Sequence, residues 1–234
     1  MKKSITTILF DLDGTLLPMD IEEFTEVYLK LLAKKSFELG FDPKAAIAAV
    51  WNGTKAMIKN DGSMSNHDRF WNSFASDMGE KSRKLESEFD KFYANEFDTV
   101  KSVTQLNPLA KEVVLKLKER GYTVILATNP LFPMVAVETR LSWLGLTTKD
   151  FTLCTSYENY SFCKPNVNYY TEILEKCGKI AEETLMVGND VDEDLCAAEI
   201  GMDTYLITDC LINKSNKDIS EIEQGSFEDF MKFI

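Results

Sequence analysis

The sequence is poor in basic residues and contains no dense run of lysine or arginine. Its 38 acidic residues outnumber its 26 basic residues, which gives a formal net charge of −12. A nucleic-acid-binding protein generally needs a basic face for the phosphates. Docking to an anionic membrane surface likewise needs clustered basic residues. We therefore expect neither a nucleic-acid partner nor a membrane partner.

Histidine occurs only once, and neither it nor the five cysteines form a metal-binding pattern. The cysteines are Cys154, Cys163, Cys177, Cys196 and Cys210. Their number is odd and no C-x-x-C spacing occurs, so they fit neither a disulfide framework nor a zinc site. We expect buried, small hydrophobic residues in a reducing cytosol, which predicts a cytoplasmic protein. The single histidine, His67, lies near a predicted helix start, where we expect a surface or capping role.

Long apolar runs are absent as well. The first run, Ile5–Phe10, ends at Asp11 and Asp13, too early for a signal peptide, and no stretch reaches membrane-spanning length. Short apolar runs predict five strands, at residues 5–10, 123–127, 151–154, 185–187 and 204–207. Helical patterns lie between the later ones. Such alternation predicts an α/β fold with a Rossmann-like parallel sheet.

The first two predicted strands are separated by about one hundred residues, far more than a crossover needs. Apolar spacing and capping residues in this gap predict helices at residues 20–39, 42–59, 65–78 and 82–97. We therefore predict an all-helical insert, residues 18–99, which interrupts a core formed by residues 1–17 and 100–234. Within the insert, Phe70, Trp71 and Phe74 are expected to pack helices together rather than to line a pocket.

Polar and acidic residues follow three of the predicted strands. Asp11 and Asp13 follow the first, Thr128 and Asn129 the second, and an acidic segment at residues 188–194 the fourth. Ligands of open α/β sheets bind at the carboxyl ends of the strands. Several carboxylates gathered there repel one another unless a cation is bound, and oxygen ligands without histidine or cysteine favour Mg²⁺ over Zn²⁺.

Asp11 and Asp13 alternate with Leu12, so both side chains would face the same way on an extended backbone. Gly14 permits a sharp turn directly after them. Such a pair can divide the work of catalysis between a nucleophile and a proton shuttle. A D-x-D pair by itself is equally typical of a turn or a cap, so this pattern leaves both interpretations open.

The segment Asp11-Leu12-Asp13-Gly14-Thr15-Leu16 resembles the first motif of the haloacid dehalogenase-like (HAD) hydrolases. Thr128-Asn129, Lys164-Pro165 and the segment 188–194 are similar to the second, third and fourth motifs, in the same order. The resemblance implies the phosphatase branch of this superfamily, with a helical cap inserted after the first motif. The cap would close over the site and carry specificity.

The resemblance also implies catalytic and substrate-binding roles. Asp11 would attack phosphorus and form an aspartyl-phosphate. Asp13 would protonate the leaving oxygen and then activate water. Thr128 and Asn129 would bind the phosphoryl oxygens, and Lys164 would offset the charge of nucleophile and phosphate. These roles agree with the demands of phosphoryl transfer, which are positioning and charge stabilisation.

For the cofactor, the resemblance implies Mg²⁺ bound by the side chains of Asp11 and Asp190 and by the backbone carbonyl of Asp13. Asp194 is the second choice, either as a ligand or as a partner that orients Lys164. Many members have Gly-Asp where this chain has Gly-Asn, with Asn at position 189. Next to these residues, Asp192 and Glu193 are expected to be a solvated helix start.

Asp13 decides between the reactions of the family. The dehalogenases expel halide and lack this acid, so the sequence favours Mg²⁺-dependent hydrolysis of a small phosphorylated metabolite. A phosphosugar mutase, which keeps both carboxylates, and a non-catalytic protein that binds a phosphorylated ligand are the alternatives. The sequence identifies neither the substrate nor the oligomeric state.

Overall fold

The computed structural model describes residues 5–234 and contains one six-stranded parallel sheet with the order β3-β2-β1-β4-β5-β6. The strands are β1 (Thr7–Phe10), β2 (Thr123–Leu126), β3 (Leu153–Cys154), β4 (Thr184–Gly188), β5 (Asp203–Ile207) and β6 (Gln224–Gly225). The predicted α/β class and Rossmann-like sheet are confirmed. The short edge strand β6 lies in the polar tail and has no apolar run that would predict it.

The central strand β1 sets the geometry of the later site. Its four residues are buried, as expected for a parallel sheet that is covered on both faces. In the register of the sheet, Phe10 lies opposite Leu126 of β2 and Val187 of β4. The residues that follow these three strands therefore emerge together at one edge of the sheet.

Within the described residues, the predicted core contains four α-helices besides short 3₁₀ helices: α5 (Pro108–Glu119), α6 (Met134–Trp143), α7 (Asn168–Cys177) and α8 (Phe227–Phe233). The polar tail ends in α8, which begins with a capping box formed by Ser226 and Asp229. Phe230 of α8 is fully buried and packs edge-to-face against Phe10, with ring centroids 5.7 Å apart. The tail helix thus closes the hydrophobic core beneath β1.

Between β1 and β2 the chain forms α1 (Ile21–Glu38), α2 (Pro43–Ile58), α3 (Asn66–Met78) and α4 (Glu86–Ala94). The side chains of Asp20, Asp42 and Ser65 accept backbone N–H bonds at the starts of the first three helices. The expected fourth helix, residues 82–97, is wrong in its bounds. Short 3₁₀ helices flank α4, which ends where the Asn95 side chain bonds the Lys91 carbonyl at 2.7 Å.

The two segments that connect this helical insert to the sheet lie side by side. Met19 and Thr104 form an antiparallel bridge, and the Gln105 amide donates to the Pro18 carbonyl at 2.8 Å. Every helix between them belongs to residues 21–103, in agreement with an all-helical insert. The division of the chain into two domains at residues 18 and 99 stays a prediction.

The remaining sequence expectations concern cysteine and membrane segments. Cys154 and Cys163 are buried, whereas Cys177, Cys196 and Cys210 are only half-buried, and all five are free thiols. The expectation of buried cysteines is therefore wrong for three of them: Cys177 ends α7, Cys196 lies in a short 3₁₀ helix and Cys210 lies in a turn after β5. None of the helices within residues 5–234 is long and apolar enough to cross a membrane.

Candidate active site

A cavity of about 220 Å³ lies at the carboxyl ends of β1, β2 and β4, and we call it the site cavity. Its lining includes Asp11, Asp13, Thr128, Asn129, Asn189, Asp190, Glu193, Asp194 and Lys214. The fold thus brings together residues that are separated by as many as two hundred positions in the chain. Lys164 lies directly behind this lining and contacts two of its carboxylates.

Lys164 forms the charged centre of the site. Its ammonium group is 2.8 Å from Asp11 Oδ1 and 2.7 Å from Asp194 Oδ1, and its side chain is almost completely buried. The other Asp11 oxygen, Oδ2, accepts a long hydrogen bond of 3.4 Å from the Thr15 hydroxyl. Asp11 Oδ1 is therefore held by Lys164, while Oδ2 makes only this long hydrogen bond.

Burial and charge shift the pKa values of this group. Burial raises the pKa of Asp11 to about 7, against the lowering effect of Lys164 and with a further increase from Asp194. Burial alone would lower the pKa of Lys164, but the two carboxylates outweigh it and hold this pKa well above its usual value. Lys164 is thus a permanent cation, whereas Asp11 needs compensating positive charge to stay ionised.

Asp13 has a partner that the sequence reasoning missed. Its Oδ2 accepts a hydrogen bond from the guanidinium of Arg140, a residue of α6 that is fully buried. Arg140 also donates to the Ala136 carbonyl at 3.1 Å and lies 4.6 Å from the centre of the Phe132 ring. Burial raises the pKa of Asp13, and the charges of Arg140 and Lys164 oppose that increase.

The sequence does carry a signal for Arg140. Ala136 and Arg140 are four residues apart on one face of α6, Leu144 follows four residues later at the C-cap, and all three are buried. A charged residue on an apolar face needs a buried counter-charge. Periodicity identifies such a residue but cannot show that its counter-charge is Asp13, 127 positions away.

Thr128 is held in place by two further residues absent from the sequence predictions. Its carbonyl accepts hydrogen bonds from the Thr155 hydroxyl at 2.6 Å and from the Tyr169 hydroxyl at 2.8 Å. Thr128 itself is buried at the cavity wall. Because its backbone is anchored from behind, its side chain and the following amide have a defined direction.

Glu193 corrects the expectation of a solvated helix start. It lines the site cavity and accepts a hydrogen bond of 2.9 Å from Asn129, and burial raises its pKa to about 7. The physical reason is that residues 191–194 form turns, with the helical segment starting only at Leu195, so Glu193 points inward. Asp192 faces outward as expected and pairs with Ser215 and Lys217.

Asn189, which departs from the family pattern, has a clear structural role. Its side-chain oxygen accepts from the Thr15 hydroxyl at 2.9 Å, and its amide donates to the Cys210 carbonyl at 2.7 Å. It also lies against Gly14, where an added Cβ would come within 2.3 Å of it. Gly14 has a φ of +87°, so both its conformation and its contact require glycine.

Asp190 and Asp194 are joined through the backbone. The Asp190 amide donates to Asp194 Oδ2 at 2.9 Å, while Asp190 Oδ1 accepts the amides of Asp192 and Glu193. Asp194 is therefore occupied at both oxygens, by Lys164 and by this amide. Such bonding matches the second-choice role of a partner that orients Lys164, and that role stays a prediction.

The donor set of the site cavity fits a hard divalent cation. Its lining supplies carboxylate oxygens from Asp11, Asp190 and Glu193, with no histidine or cysteine among the described residues that line it. Across residues 5–234, no group of three or more His, Cys, Asp or Glu side chains is arranged as a metal site. The predicted Mg²⁺ ligands do not require such a group of three side chains, because they are two carboxylates and one backbone carbonyl.

A second cavity of about 230 Å³, which we call the insert cavity, lies among α1–α4. Phe70, Trp71 and Phe74 pack against each other, with ring centroids 5.5–5.6 Å apart, and also line this cavity. The expectation that they serve only helix packing is therefore incomplete. Asp13, Ile21, Leu131 and Phe132 line both cavities, so the two meet beside Asp13.

Comparisons with known proteins agree with this architecture. The family description "haloacid dehalogenase-like hydrolase" matches residues 5–200. A phosphoglycolate phosphatase of Vibrio parahaemolyticus is 28% identical over 211 residues, covering 88% of this chain and 85% of its own length. A ribulose-1,5-bisphosphate 5-phosphatase of Halopiger xanaduensis is 27% identical over 212 residues, covering 86% and 84% respectively.

The crystal structure of the HAD-hydrolase YfnB of Bacillus subtilis, bound to magnesium, superimposes with a TM-score of 0.56 at 19% identity. The match covers 99% of each chain and shows a shared fold. Sheet order, site residues and the family match point to one class, a hydrolase with an α/β core. The chain belongs to the haloacid dehalogenase-like hydrolases, as its four motifs predicted.

Proposed function

We propose that this protein is a Mg²⁺-dependent phosphomonoesterase that acts on a small phosphorylated metabolite through an aspartyl-phosphate on Asp11. The observation that carries the proposal is the convergence of Asp11, Asp13 and Lys164 at one cavity. A protein that only binds a phosphorylated ligand does not need a second carboxylate beside the first. The phosphatase names of both relatives support the same reaction.

In the first step, an Asp11 carboxylate oxygen attacks phosphorus and the bond from phosphorus to the ester oxygen breaks. Lys164, 2.8 Å from Asp11, offsets the charge that the phosphoryl group brings to this carboxylate. Asp13 delivers a proton to the leaving oxygen, so the product departs as an alcohol. Burial, which raises the pKa of Asp13, favours the protonated form needed for this transfer.

In the second step, Asp13 accepts a proton from water, whose oxygen attacks the aspartyl-phosphate. The bond between phosphorus and Asp11 breaks, inorganic phosphate is released and both carboxylates return to their starting state. Thr128 and the backbone of Asn129 bind the phosphoryl oxygens, and the bonds from Thr155 and Tyr169 keep them in position.

Mg²⁺ would be held by Asp11, Asp190 and the Asp13 carbonyl, and it would neutralise negative charge on the phosphoryl oxygens. Asp194 would keep Lys164 directed toward Asp11. The helical insert, as a cap, would exclude bulk water from Asp13 and the phosphoryl group. A small phosphorylated substrate needs no nucleic acid or membrane partner, and we place the reaction in the cytoplasm.

Phosphate release from a panel of phosphorylated metabolites, measured with and without EDTA, tests the proposal. We expect turnover that EDTA abolishes and added Mg²⁺ restores. Asp11→Asn removes the nucleophile and is expected to lower kcat by about 10³-fold or more. Asp203→Asn is the matched control, because Asp203 is exposed at the opposite, amino-terminal end of β5.

The alternatives give different results in the same experiment. Isomerised product without net phosphate release would establish the phosphosugar mutase. Complete inactivity of the folded protein, checked by circular dichroism, would leave the non-catalytic binding protein.

A further inference from the structure

We propose that the substrate is a phosphomonoester whose leaving group is an apolar alcohol, about the size of a benzyl group, bound in the insert cavity. This inference rests on the proposed phosphatase function and narrows its substrate class. Two observations support it: the two cavities share wall residues, and the insert cavity is lined mainly by apolar side chains.

The position of the insert cavity selects the leaving group as its occupant. The phosphoryl group belongs beside Asp11, and the ester oxygen must reach Asp13 to receive a proton. Asp13 lines both cavities, as do Leu131 and Phe132. The carbon skeleton attached to that oxygen therefore extends past Asp13 into the insert cavity.

The walls of this cavity are apolar and largely aromatic. They include Phe24, Phe70, Trp71, Phe74, Phe89 and Phe132. Engineered cavities of about 150 Å³ with apolar walls are large enough to bind benzene. A cavity of about 230 Å³ accommodates a ring with a short chain. Burial of such a group contributes about 25 cal/mol for each Å² of apolar surface removed from water.

The uncharged polar groups at the walls are bonded within the protein, and the hydroxyls of Thr25 and Thr54 donate to the backbone carbonyls of Ile21 and Val50. The hydroxyls of Tyr28 and Tyr93 are 2.8 Å apart, and Trp71 donates its indole N–H to the Tyr157 hydroxyl at 3.3 Å. Apart from the carboxylates of Asp13 and Asp90, these bonds leave few groups free to bind the hydroxyls of a sugar. A polyhydroxylated leaving group would lose bonds to water here without replacing them.

The charges at the walls of the insert cavity also disfavour a leaving group that carries a second anionic group. The described residues that line the insert cavity include two carboxylates, Asp13 and Asp90, and no lysine, arginine or histidine. Lys214 lines the site cavity but not the insert cavity. The carboxylate of phosphoglycolate or the second phosphate of ribulose-1,5-bisphosphate would find no cation here, although the two relatives are named for these substrates.

The residues at the mouth of the insert cavity also favour an apolar leaving group. Ile21 and Trp51 line the cavity and are also exposed, at 36% and 44% of their surface. Large exposed apolar side chains at the entrance of an apolar cavity provide a path for an apolar group. The net negative charge of the protein does not attract a second anionic group to this entrance.

The test compares kcat/KM for benzyl phosphate, glycerol 1-phosphate and phosphoglycolate in the presence of Mg²⁺. All three release an alkoxide and need the same proton from Asp13, so the comparison isolates binding of the leaving group. We expect benzyl phosphate to be preferred by about 10-fold or more, the range typical for small apolar differences in a hydrophobic pocket. Equal values, or a preference for either polar ester, would overturn the inference and leave the phosphatase proposal standing.

A pair of variants in α2 tests the location. Thr54→Lys introduces a cation at the cavity wall, while Ala48→Lys adds the same charge to the exposed face of the same helix. Thr54→Lys is expected to lower kcat/KM for benzyl phosphate by about 10-fold and to raise it for phosphoglycolate, whose carboxylate gains a cation. Ala48→Lys should change neither value. Equal effects of the two variants would contradict binding in the insert cavity.

Binding without turnover separates the two proposals. Benzylphosphonate and methylphosphonate, which cannot be hydrolysed, are titrated with Mg²⁺ while the fluorescence of Trp51 and Trp71 at the cavity is followed. Tighter binding of benzylphosphonate by an inactive protein would overturn the phosphatase and preserve an apolar phospho-ligand. Equal affinities would overturn the apolar cavity as the binding site, whatever the activity.

Discussion

Arg140 is fully buried and its guanidinium is paired with the Asp13 carboxylate, whose side chain is 18% exposed. Neither Arg140 Nη2 nor Asp13 Oδ1 has a further hydrogen-bond partner among the described residues. A buried charge pair contributes little net stability, because desolvation offsets most of the attraction between the charges. Removing one partner is strongly destabilising, because the other is left as an uncompensated buried charge. Arg140 thus positions Asp13 and constrains its charge.

Arg140→Met keeps much of the side-chain volume and removes the charge. We expect the free energy of unfolding to fall by about 3–5 kcal/mol, measured by urea denaturation. The double variant Asp13→Asn/Arg140→Met should recover part of this loss, because the uncompensated carboxylate is also gone. A double variant as unstable as the sum of the two single variants would show that the pair is not coupled.

Asp190 and Asp192 are neighbouring aspartates with different surroundings. Asp190 lines the site cavity, whereas Asp192 pairs with Lys217 at the surface. Asp190→Asn is expected to raise the Mg²⁺ concentration for half-maximal activity by about 10-fold or more, because a charged oxygen ligand is lost. Asp192→Asn is the matched control and should leave this concentration unchanged. The same shift in both variants would remove Asp190 from the metal set.

At the scale of elements, His67 near the start of α3 connects this helix to α4. The His67 ring bonds Asp68 at 3.0 Å and Glu86, the first residue of α4, at 2.6 Å. Only the protonated ring can donate from both nitrogens. Partial burial lowers the pKa of His67, but these two carboxylates outweigh it and the net shift is upward.

The raised pKa gives His67 a defined pH dependence. Its stabilising contribution is complete below the unfolded-state pKa, about 6.5, and is lost as the pH rises through the higher folded-state pKa. His67→Gln should therefore lower the free energy of unfolding by up to about 1 kcal/mol at pH 5.5, the range of partly exposed pairs, and by less at pH 8.5. A loss that is equal at both pH values would exclude the ion pair as its cause.

At the scale of the whole molecule, Asn66 connects α3 to loops of the core. Its amide lies within 3.3–3.4 Å of the Pro130 and Phe162 carbonyls and the Cys163 sulfur, and its oxygen accepts from Asn60 at 2.9 Å. Backbone bonds from Asn66 and His67 to Tyr160 and Tyr157 add to this connection. Residues of the insert and of the loop before Lys164 are therefore held together.

Asn66→Ala leaves buried donors and acceptors without partners, so we expect unfolding to become easier by about 1–3 kcal/mol. Asn52→Ala is the control, because Asn52 is an exposed residue of α2 whose amide bonds Asp77. It should change stability by about 0.5 kcal/mol or less. Chemical denaturation followed by circular dichroism measures both variants, and comparable losses would argue against a buried connection at Asn66.

Local patterns in the sequence determined the elements and the family. Apolar runs bounded by polar residues predict β1, β2, β4 and β5, since strand formation depends on neighbouring residues. Capping residues such as Asp42 and Ser65 predict helix starts for the same reason. The positions of Asp11, Thr128 and Asp190 just after strands predicted that they lie close together, because parallel strands bring their carboxyl ends to one edge.

Only the tertiary structure decided which buried charges pair and where the cavities lie. Arg140 pairs with Asp13, Glu193 turns inward to Asn129, and the aromatic residues of α3 line a cavity as well as packing against one another. Each of these outcomes depends on elements that are distant in the chain and packed against each other in three dimensions. Periodicity identifies a buried face, but the neighbour that covers it is set by the packing of the whole chain.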